Sequence, residues 1–422
     1  MRNREQGGSE VSRILIVGAG QAGLQLGLGL LQDGHDVTVV SNRTPEAIHD
    51  GRVMSSQCMF DAALQTERDL GLNFWEEECP PVEGISLAVP HPEEPGAKAI
   101  DWASRLDRYA QSVDQRLKYP GWMEKLEARG GKLVIEDAGV EDLERYAQEN
   151  DLVVVAAGKG EIVRLFERDA ARSPYDQPMR ALALTYVTGM TPRPEYSAVC
   201  FNLIPTVGEY FVFPALTTTG TCEIMVFEGV PGGPMDCWGD VTTPEEHLER
   251  SLWILDTFMP WEADRCRGVE LTDPNGILTG RFPPTVRKPV AELPSGRLVL
   301  GLADTIMLND PITGQGSNNA AKMATAYLHA MREHGDPPYE RAWMEQVFER
   351  FWNEYGQFTT GWTNALLSPP PEHVLKLLQA GNESREIAHR FVNGFDDPVD
   401  YFDWFMFPDK AEAYLAEVGA AA

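Results

Sequence analysis

The sequence predicts an α/β protein with three parts, and three observations support that prediction. A short apolar strand at 13–17 leads through a glycine-rich turn into a helix and a second strand, the pattern of a Rossmann-like nucleotide-binding domain. Residues 181–294 alternate short Thr/Val/Phe/Tyr-rich stretches with Pro and Gly, which indicates a mixed or largely antiparallel sheet. From Pro338 onward the pattern is helical. We therefore expect a discontinuous nucleotide-binding domain (13–180 and 295–335), a substrate-binding sheet domain (181–294) and a helical C-terminal region (336–422).

Composition and charge limit the classes of partner. The chain has 422 residues, enough for a sizeable core, and a net charge of −28 from 64 acidic and 36 basic side chains. Such a surface repels nucleic acid and anionic lipid, so neither is expected as a partner. Residues 1–12 form a flexible polar arm without a signal-peptide core, and no apolar run reaches the ~18 residues that a membrane helix needs. Six scattered cysteines indicate reduced thiols in the cytoplasm.

The first glycine motif has the spacing of a pyrophosphate site. After the first strand come Gly18, Gly20 and Gly23, with Gln21 and Ala22 between the last two. We expect Gly18 to form a tight turn, Gly20 to let the backbone approach a ligand, and Gly23 to let the helix pack on the strand. The helix N-terminus then offers N–H groups and its positive dipole end to phosphates. The alternative is a glycine-rich packing turn without a ligand.

The second strand of this unit lacks an expected carboxylate. Asp or Glu usually ends that strand and holds the ribose hydroxyls. This chain has Ser41, Asn42 and Arg43 there. Either the adenosine is held less firmly or other groups substitute, and weak anchoring suits a cofactor that enters and leaves.

Three further elements follow from local patterns. Pro120 is expected at the first turn of a helix over 120–129. An apolar run that ends at Gly158 predicts another buried parallel strand. Thr243, with a glutamate three residues later, predicts a capping box and a helix to about Met259.

The second glycine motif favours FAD over other dinucleotides. A strand at 297–302 precedes Asp304, and a glycine-rich turn then leads into a long helix; the turn and helix start contain Pro311, Gly314, Gln315, Gly316 and Ser317. FAD needs one helix N-terminus for its pyrophosphate and gains from a second at the pyrimidine edge of its ring, where negative charge accumulates on reduction. Asp304 could accept a hydrogen bond from a ribityl hydroxyl. An NAD-only fold has no use for the second site; the other interpretation is a surface loop in which Asp304 caps a helix.

Taken together, these segments resemble a known family. The FAD framework resembles the para-hydroxybenzoate-hydroxylase-like flavoproteins, and from about Arg13 to Pro408 the chain resembles the styrene and indole monooxygenases. The segments that carry the resemblance are VGAGQAGLQLGL, RLKYPGWMEKLEARGGK, DLVVVAAGKG, GLADTIMLNDPITGQG, GWTNALLSPPPEHVLKLLQ and SREIAHRF. The resemblance implies that Arg52 and the segment after it lie along the flavin and that 311–316 covers the ring. It also implies that Arg116 and Gly158 belong to the cofactor site.

The resemblance implies the oxygenase half of a two-protein system. Such an enzyme receives FAD already reduced by a separate NADH-dependent flavin reductase, and it uses O₂ through a C4a-hydroperoxide. The distal oxygen is transferred to an electron-rich C=C bond. Because a wet site releases hydrogen peroxide, the substrate pocket should be apolar with few polar groups. A homodimer is one possible assembly.

Six pocket positions resemble the indole branch of that family more than the styrene branch. Styrene enzymes have an Asn-x-Val-x-His pattern after the arginine, and this chain instead has Ser55, Gln57 and Met59. At the other three positions, where the styrene branch tends to have Tyr, His and Ser, the chain has Val82, Ile85 and Ala110. With Ile312 these residues would line the pocket, and Ser55 and Gln57 would orient the indole N–H or the peroxide. Arg52 and Ser55 are the candidate catalytic residues; ordinary hydrogen-bonded loop residues are the alternative.

Other functions remain as alternatives to indole epoxidation. One is a self-sufficient aromatic hydroxylase that takes hydride directly from NAD(P)H, and another is a non-redox protein that binds FAD structurally. A halogenase is less expected, because the sequence lacks the W-x-W-x-I-P motif of that family. The sequence has neither a spaced histidine pair for a metal nor a G-x-S-x-G motif, so neither a metal site nor a hydrolase is expected.

Overall fold

A six-stranded, mainly parallel sheet forms the first layer of the computed structural model, which describes residues 11–158, 160–335 and 338–420. Its strands run in the order β14-β15-β6-β1-β2-β5, and all neighbouring pairs are parallel except β14 and β15. The strands are β1 (Arg13–Val17), β2 (Asp36–Ser41), β5 (Lys132–Ile135), β6 (Leu152–Val155), β14 (Val290–Glu292) and β15 (Leu298–Gly301). The central strand β6 is apolar throughout and β1 is apolar after Arg13, as a sheet covered on both faces requires.

An eight-stranded sheet forms the second layer. Its order is β11-β7-β10-β9-β8-β3-β4, with β12 also paired to β7, and only β3 and β8 are parallel. The strands are β3 (Pro81–Pro90), β4 (Lys98–Gln111), β7 (Ala181–Thr188), β8 (Ala198–Ile204), β9 (Gly208–Thr217), β10 (Gly220–Gly229), β11 (Glu270–Leu271) and β12 (Ile277–Gly280). Two short strands, β13 (Thr285–Val286) and β16 (Met307–Leu308), pair separately. The predicted division at residue 180 therefore differs from the structure, because β3 and β4 join the second sheet.

Helices cover both sheets and form the C-terminal region. They are α1 (Gln21–Gln32), α2 (Pro45–His49), α3 (Asp61–Asp69), α4 (Gln115–Ala128), α5 (Val140–Glu149), α6 (Pro244–Phe258), α7 (Pro260–Ala263), α8 (Gly316–His334), α9 (Arg341–Phe351), α10 (Gln357–Leu366), α11 (Glu372–Ala380), α12 (Arg385–Asn393), α13 (Tyr401–Trp404) and α14 (Pro408–Glu417). A π-helical turn, Trp352–Gly356, joins α9 to α10. The α/β fold class with a helical C-terminal region is confirmed.

The helix starts test two sequence predictions. The capping box of α6 is confirmed, because the Thr243 hydroxyl accepts the Glu246 N–H and the Glu246 side chain accepts the Thr243 N–H. The prediction that Pro120 starts a helix is wrong. Helix α4 begins at Gln115, after Asp114 caps it by accepting the N–H of Arg116, and Pro120 lies inside the helix. A proline there removes one backbone hydrogen bond, and the buried cap and the burial of the helix offset that loss.

The C-terminal helices pack on the outer strands of the second sheet. The indole N–H of Trp102 on β4 donates to the carbonyl of Leu378 at 2.8 Å, and its ring meets Phe391 edge-on at 5.5 Å. The carboxamide oxygen of Asn393 accepts the N–H of Asp107 at 2.8 Å. One hydrophobic cluster therefore runs from the second sheet into helices α10–α14.

The predicted polar arm lies outside the described residues up to position 10, as do 336–337 and 421–422 of the predicted C-terminal region. Ser12 is buried, and its hydroxyl lies 3.1 Å from that of Tyr339. None of the helices in the described ranges is long and apolar enough to cross a membrane, and no group of side chains within them could hold a metal ion. All six cysteines are free thiols.

Candidate functional site

The first glycine turn lies where β1 ends and α1 begins. Gly18 has φ +118°, and a Cβ there would lie 2.6 Å from the carbonyl oxygen of Ala156 on the neighbouring chain segment. A Cβ on Gly23 would lie 1.9 Å from the Gly18 oxygen, so helix and turn touch. A Cβ on Gly20 would meet nothing within 4 Å. The backbone before α1 is therefore tightly held on the protein side and open on the other, which leaves room for a ligand; its role in pyrophosphate binding stays a prediction.

A second glycine turn precedes α8. The Asp310 carboxylate accepts the N–H of Ile312 at 3.1 Å and so caps the short 3-10 turn Pro311–Thr313. Gly314 follows with φ +65°, a left-handed conformation that favours glycine. A Cβ on Gly314 or on Gly316 would meet nothing within 4 Å. This turn also leaves open space beside a helix N-terminus.

Helices α1 and α8 lie side by side and run parallel. The side-chain amide of Gln25 donates to the carbonyl of Ala321 at 3.0 Å and to the hydroxyl of Thr325 at 3.1 Å. One turn further along α1, Gly29 packs directly against Leu328. The two N-termini therefore open at the same end of the molecule, and neither has an acidic residue in its first turn or a side-chain cap. Their positive dipole ends face one region, which suits an extended anionic ligand such as FAD.

The carboxyl ends of β6 and β15 lie between the two turns. A Cβ on Gly158, after β6, would lie 3.0 Å from the Cβ of Asp304, after β15. Asp304 is exposed, and its neighbour Ala303 has φ +52°, a conformation that is uncommon for a residue with a side chain. The Thr305 hydroxyl fastens this turn by donating to the carbonyl of Ala157 at 3.1 Å. Asp304 thus lies at the sheet edge beside Gly158, and its contact with a ribityl hydroxyl stays a prediction.

The end of β2 offers little to hold a ribose. The hydroxyl of Ser41 is used locally, since it donates to the Arg43 carbonyl at 2.7 Å and accepts the Arg43 N–H at 3.2 Å. The Arg43 guanidinium contacts the sulfur of Met54 at 2.6 Å. Asn42 is exposed. No carboxylate stands where most Rossmann folds have one.

Several predicted cofactor residues use their side chains for packing. Gln21 donates to Glu67 at 2.9 Å and to Gln25 at 3.1 Å, beneath the start of α1, and Ala22 is buried. Gln315 donates to the carbonyl of Phe395 at 2.8 Å. The backbone N–H groups, rather than these side chains, are what the positions offer a ligand. Ser317 is half-buried in the first turn of α8.

Arg116 lies in a buried hydrogen-bond network. It is 2% exposed, and its five N–H donors meet Asp114 at 2.9 Å, both oxygens of Asp273 at 3.0 Å, Thr217 at 3.1 Å and the carbonyl of Gly51 at 3.4 Å. The guanidinium donors are thus all engaged by the protein, and contact of Arg116 with FAD stays a prediction. Arg116 instead ties α4 and the 273–275 turn to the segment that carries Arg52.

Arg52 and Ser55 lie on an exposed segment that is anchored at two points. The Val53 N–H donates to the carbonyl of Asn275 at 3.0 Å, and the Tyr186 hydroxyl donates to the carbonyl of Ser55 at 3.0 Å. The Ser55 hydroxyl donates to the next carbonyl along the chain, at 3.0 Å. Arg52 and Ser55 are both exposed, so they lie outside the apolar cluster described next.

The other predicted substrate residues are buried. Val82 and Ala110 are direct cross-strand partners on β3 and β4, and together with Ile85 and Ile312 they belong to one apolar cluster in which each is at most 1% exposed. Met59 is also buried but packs in a smaller group beside α8. The four residues of the first cluster have dry, apolar surroundings, and their role in lining a substrate pocket stays a prediction.

Gln57 places one polar atom in these surroundings. Its side-chain N–H donates to the carbonyl of Val113, while its amide oxygen is buried and accepts no hydrogen bond from any residue in the described ranges. An unpaired buried acceptor costs about 1–3 kcal/mol, so a ligand N–H that reached it would be favoured.

The sequence analysis missed two groups beside the α8 turn. Asn318 joins the first turn of α8 to the segment around Met59. Its side-chain amide donates to the Cys58 carbonyl at 2.8 Å and accepts the Phe60 N–H at 2.9 Å. Lys322 donates to the Tyr355 hydroxyl at 2.9 Å, and that hydroxyl donates to Gln315 at 3.4 Å. Burial lowers the pKa of Lys322 to about 8, although Asp396 and Asp397 act in the opposite direction. Tyr355 lies in the π-helical turn, for which the sequence has no motif.

The sequence of this chain is similar to those of known proteins over most of its length. A family model described as the styrene monooxygenase A putative substrate binding domain matches residues 158–265. Styrene monooxygenase StyA of Pseudomonas fluorescens is 32% identical over 408 residues, which cover 94% of this chain and 96% of that protein.

Solved structures with a similar fold include a brominase and an oxygenase. The flavin-dependent brominase Bmp2 is similar with a TM-score of 0.60 at 14% identity, over 97% of this chain and 94% of its own. The oxygenase of 2-methyl-3-hydroxypyridine-5-carboxylic acid is similar with a TM-score of 0.58 at 12% identity, over 90% and 93%. At these identities the likeness shows the fold alone, which is para-hydroxybenzoate-hydroxylase-like as predicted.

Proposed function

The chain belongs to the styrene monooxygenase family and is a flavin monooxygenase, and from that premise we propose that it is the oxygenase component of a two-protein system that epoxidises indole. Styrene-like alkenes would react less well. A separate NADH-dependent flavin reductase would supply FAD in its reduced form. Rearrangement of the indole product to indoxyl would then lead to a blue pigment.

The parallel starts of α1 and α8 carry the cofactor part of this proposal. The open space at Gly20, Gly314 and Gly316 fits FAD, with its pyrophosphate at α1 and its pyrimidine edge at α8. Bound there in reduced form, FAD would supply the activated oxygen. Backbone N–H groups of α8 would stabilise the negative charge of the reduced ring, and Asp304 would accept a ribityl hydroxyl. The weak hold at Ser41 supports a cofactor that exchanges with a partner.

The unpaired oxygen of Gln57 supports indole as substrate. Indole has an N–H that this acceptor could bind, whereas styrene has none. The apolar side chains of Val82, Ile85 and Ile312 would exclude water from the reacting oxygen, so that it is not lost as hydrogen peroxide. Arg52 and Ser55 would then lie on the cofactor side of the pocket.

One reconstitution experiment tests the whole proposal. Purified protein is incubated with indole, NADH, FAD and any flavin reductase, and blue pigment is the expected product. Omitting the reductase distinguishes a self-sufficient hydroxylase, which would still form pigment. Adding chemically reduced FAD in air instead of reductase and NADH should restore the product. A protein that binds FAD but forms no indole-derived product in either arm would be a non-redox flavin-binding protein or would act on another substrate.

A further inference from the structure

A group of buried charges lies beneath the turn that precedes α8. It consists of three carboxyl side chains and one guanidinium: Glu228 on β10, Glu209 on β9, Asp310 before the turn, and Arg180. Their exposed fractions are 0%, 8%, 1% and 6%. We call them the carboxyl cluster. If all three carboxyl groups were ionised, a dry region would hold two uncompensated negative charges, which is very unfavourable.

Arg180 neutralises only one of the three. Its Nε donates to Glu209 Oε2 at 2.6 Å and its Nη2 to Glu209 Oε1 at 2.9 Å. Its remaining hydrogen bonds go to the carbonyls of Met179 and Leu367. Glu228 stands directly opposite Glu209 on the neighbouring strand, where two like charges would repel each other.

Glu228 is the member that must carry a proton. Asp310 accepts the N–H of Ile312 and so has support for its charge. Neither oxygen of Glu228 accepts a hydrogen bond from the residues that the structure describes. Burial, together with the adjacent carboxyl groups of Asp310 and Glu209, raises the pKa of Glu228 well above its usual value, against the opposing effect of Arg180.

We propose that Glu228 is a positioning residue: it stays protonated at neutral pH and, as a neutral neighbour of Asp310, keeps the Pro311–Gly316 turn in place over the cofactor. The effect on FAD rests on the proposed function, whereas the protonation of Glu228 does not. Ionising Glu228 would set two like charges side by side in the interior and push the turn, with Ile312, away from the apolar cluster. Affinity for reduced FAD would then fall with rising pH.

Infrared spectroscopy of the protein without cofactor tests the protonation. At pH 8 the wild type should show a protonated carboxyl C=O band that Glu228→Gln lacks. Glu223→Gln is the matched control, because Glu223 is on the same strand but on the opposite face, and burial raises its pKa only to about 7. It should keep the band. The same band in wild type and Glu228→Gln would overturn the proposal.

Titration with reduced FAD between pH 7 and 9.5 tests the positioning. The wild type should lose affinity by up to about tenfold per pH unit above the pKa of Glu228. Glu228→Gln, whose neutral amide resembles the protonated acid, should lack this loss of affinity. Any effect of the titration of FAD itself should be the same in both proteins. Parallel profiles would reject positioning even if the infrared band were present; no FAD binding at any pH would instead reject the proposed function.

A second variant tests the proposal if Glu228→Gln does not fold. Asp310→Asn removes one neighbouring negative charge, so the infrared band of Glu228 should disappear at a lower pH than in the wild type. An unchanged titration of the band would show that the two side chains do not interact, and the proposal would fall.

Discussion

The amide of Gln25 on α1 donates to the backbone carbonyl of Ala321 on α8 at 3.0 Å. This bond joins two segments that are almost three hundred residues apart in the chain and, with the contacts of Gln25 to Thr325 and Gly29 to Leu328, fixes their relative register. Because the helices run parallel, their dipoles add at one end instead of cancelling. The candidate cofactor site therefore has two positive helix ends that face the same region.

Reduced FAD should bind more tightly than oxidised FAD. Reduction adds negative charge to the pyrimidine edge, and the N-terminus of α8 stabilises negative charge there. The interaction of a charge with a helix end is about 0.3–2 kcal/mol, so we expect the two dissociation constants to differ by about twofold to thirtyfold. Anaerobic titration with each form measures it. Tighter binding of the oxidised form would contradict the assignment of α8 to the flavin.

Gly20→Ala should weaken FAD binding without changing stability. A Cβ at this position meets no protein atom within 4 Å, so it would occupy only the space left for the ligand. Melting temperature and FAD affinity are the two measurements, and Gly239→Ala, also free of contacts, is the control. Gly18→Val should instead prevent folding, because of its φ of +118° and its contact with Ala156. Unchanged FAD affinity in Gly20→Ala would show that the pyrophosphate does not bind at this turn.

Indole should be preferred over styrene when both are present at equal concentration. The unpaired Gln57 oxygen gives an expected preference of very roughly tenfold to a hundredfold. Gln57→Leu should reduce it, and the pair Ser55→Asn with Met59→His should also move the ratio toward styrene. Gln379→Leu, on the surface of α11, is the control. A wild type that consumes styrene faster would refute indole as the preferred substrate while leaving the monooxygenase standing.

Arg116→Met should destabilise the protein by about 3–5 kcal/mol, because it leaves the buried carboxylate of Asp114 without its partner. Urea unfolding measures the change. Arg267, whose ion pairs with Asp256 and Asp264 are exposed, provides a matched control, and Arg267→Met should leave the midpoint unchanged. Equal effects of the two substitutions would show that the Arg116 network is not a structural anchor.

Lys322 should make stability rise with pH. Its pKa in the folded protein is lowered to about 8, below its value of about 10.4 in an unfolded chain. Between these values the unfolded chain binds more protons, so the free energy of unfolding should increase by up to about 1.4 kcal/mol per pH unit. The difference between the wild type and Lys322→Met, followed from pH 7 to 10, isolates this contribution. A constant difference would mean that Lys322 titrates normally.

The sequence predicted the parts of the site that depend on local backbone geometry. Gly18 and Gly314 have positive φ angles, which favour glycine, so the positions of the glycines in the sequence predict these turns. The hydrogen bonds of Arg116 to Asp273 and Thr217 could not be predicted, because these partners come from distant segments. The position of Pro120 was predicted wrongly because the helix begins earlier, at the cap formed by Asp114. That cap depends on a distant residue as well, since Asp114 also accepts the hydroxyl of Thr217. The placement of β3 beside β8 likewise depends on pairing across more than a hundred residues.

The order of strands in the first sheet has a consequence for synthesis of the protein. Strand β6 is paired with β1 on one side, but its other neighbour, β15, is made only after the whole second sheet. On the ribosome, the apolar edge at Val154 therefore stays uncovered until Leu300 emerges. Uncovered strand edges are where nascent chains associate wrongly. Yield in a foreign host should accordingly depend on slow translation and chaperone supply more than on the stability of the finished fold.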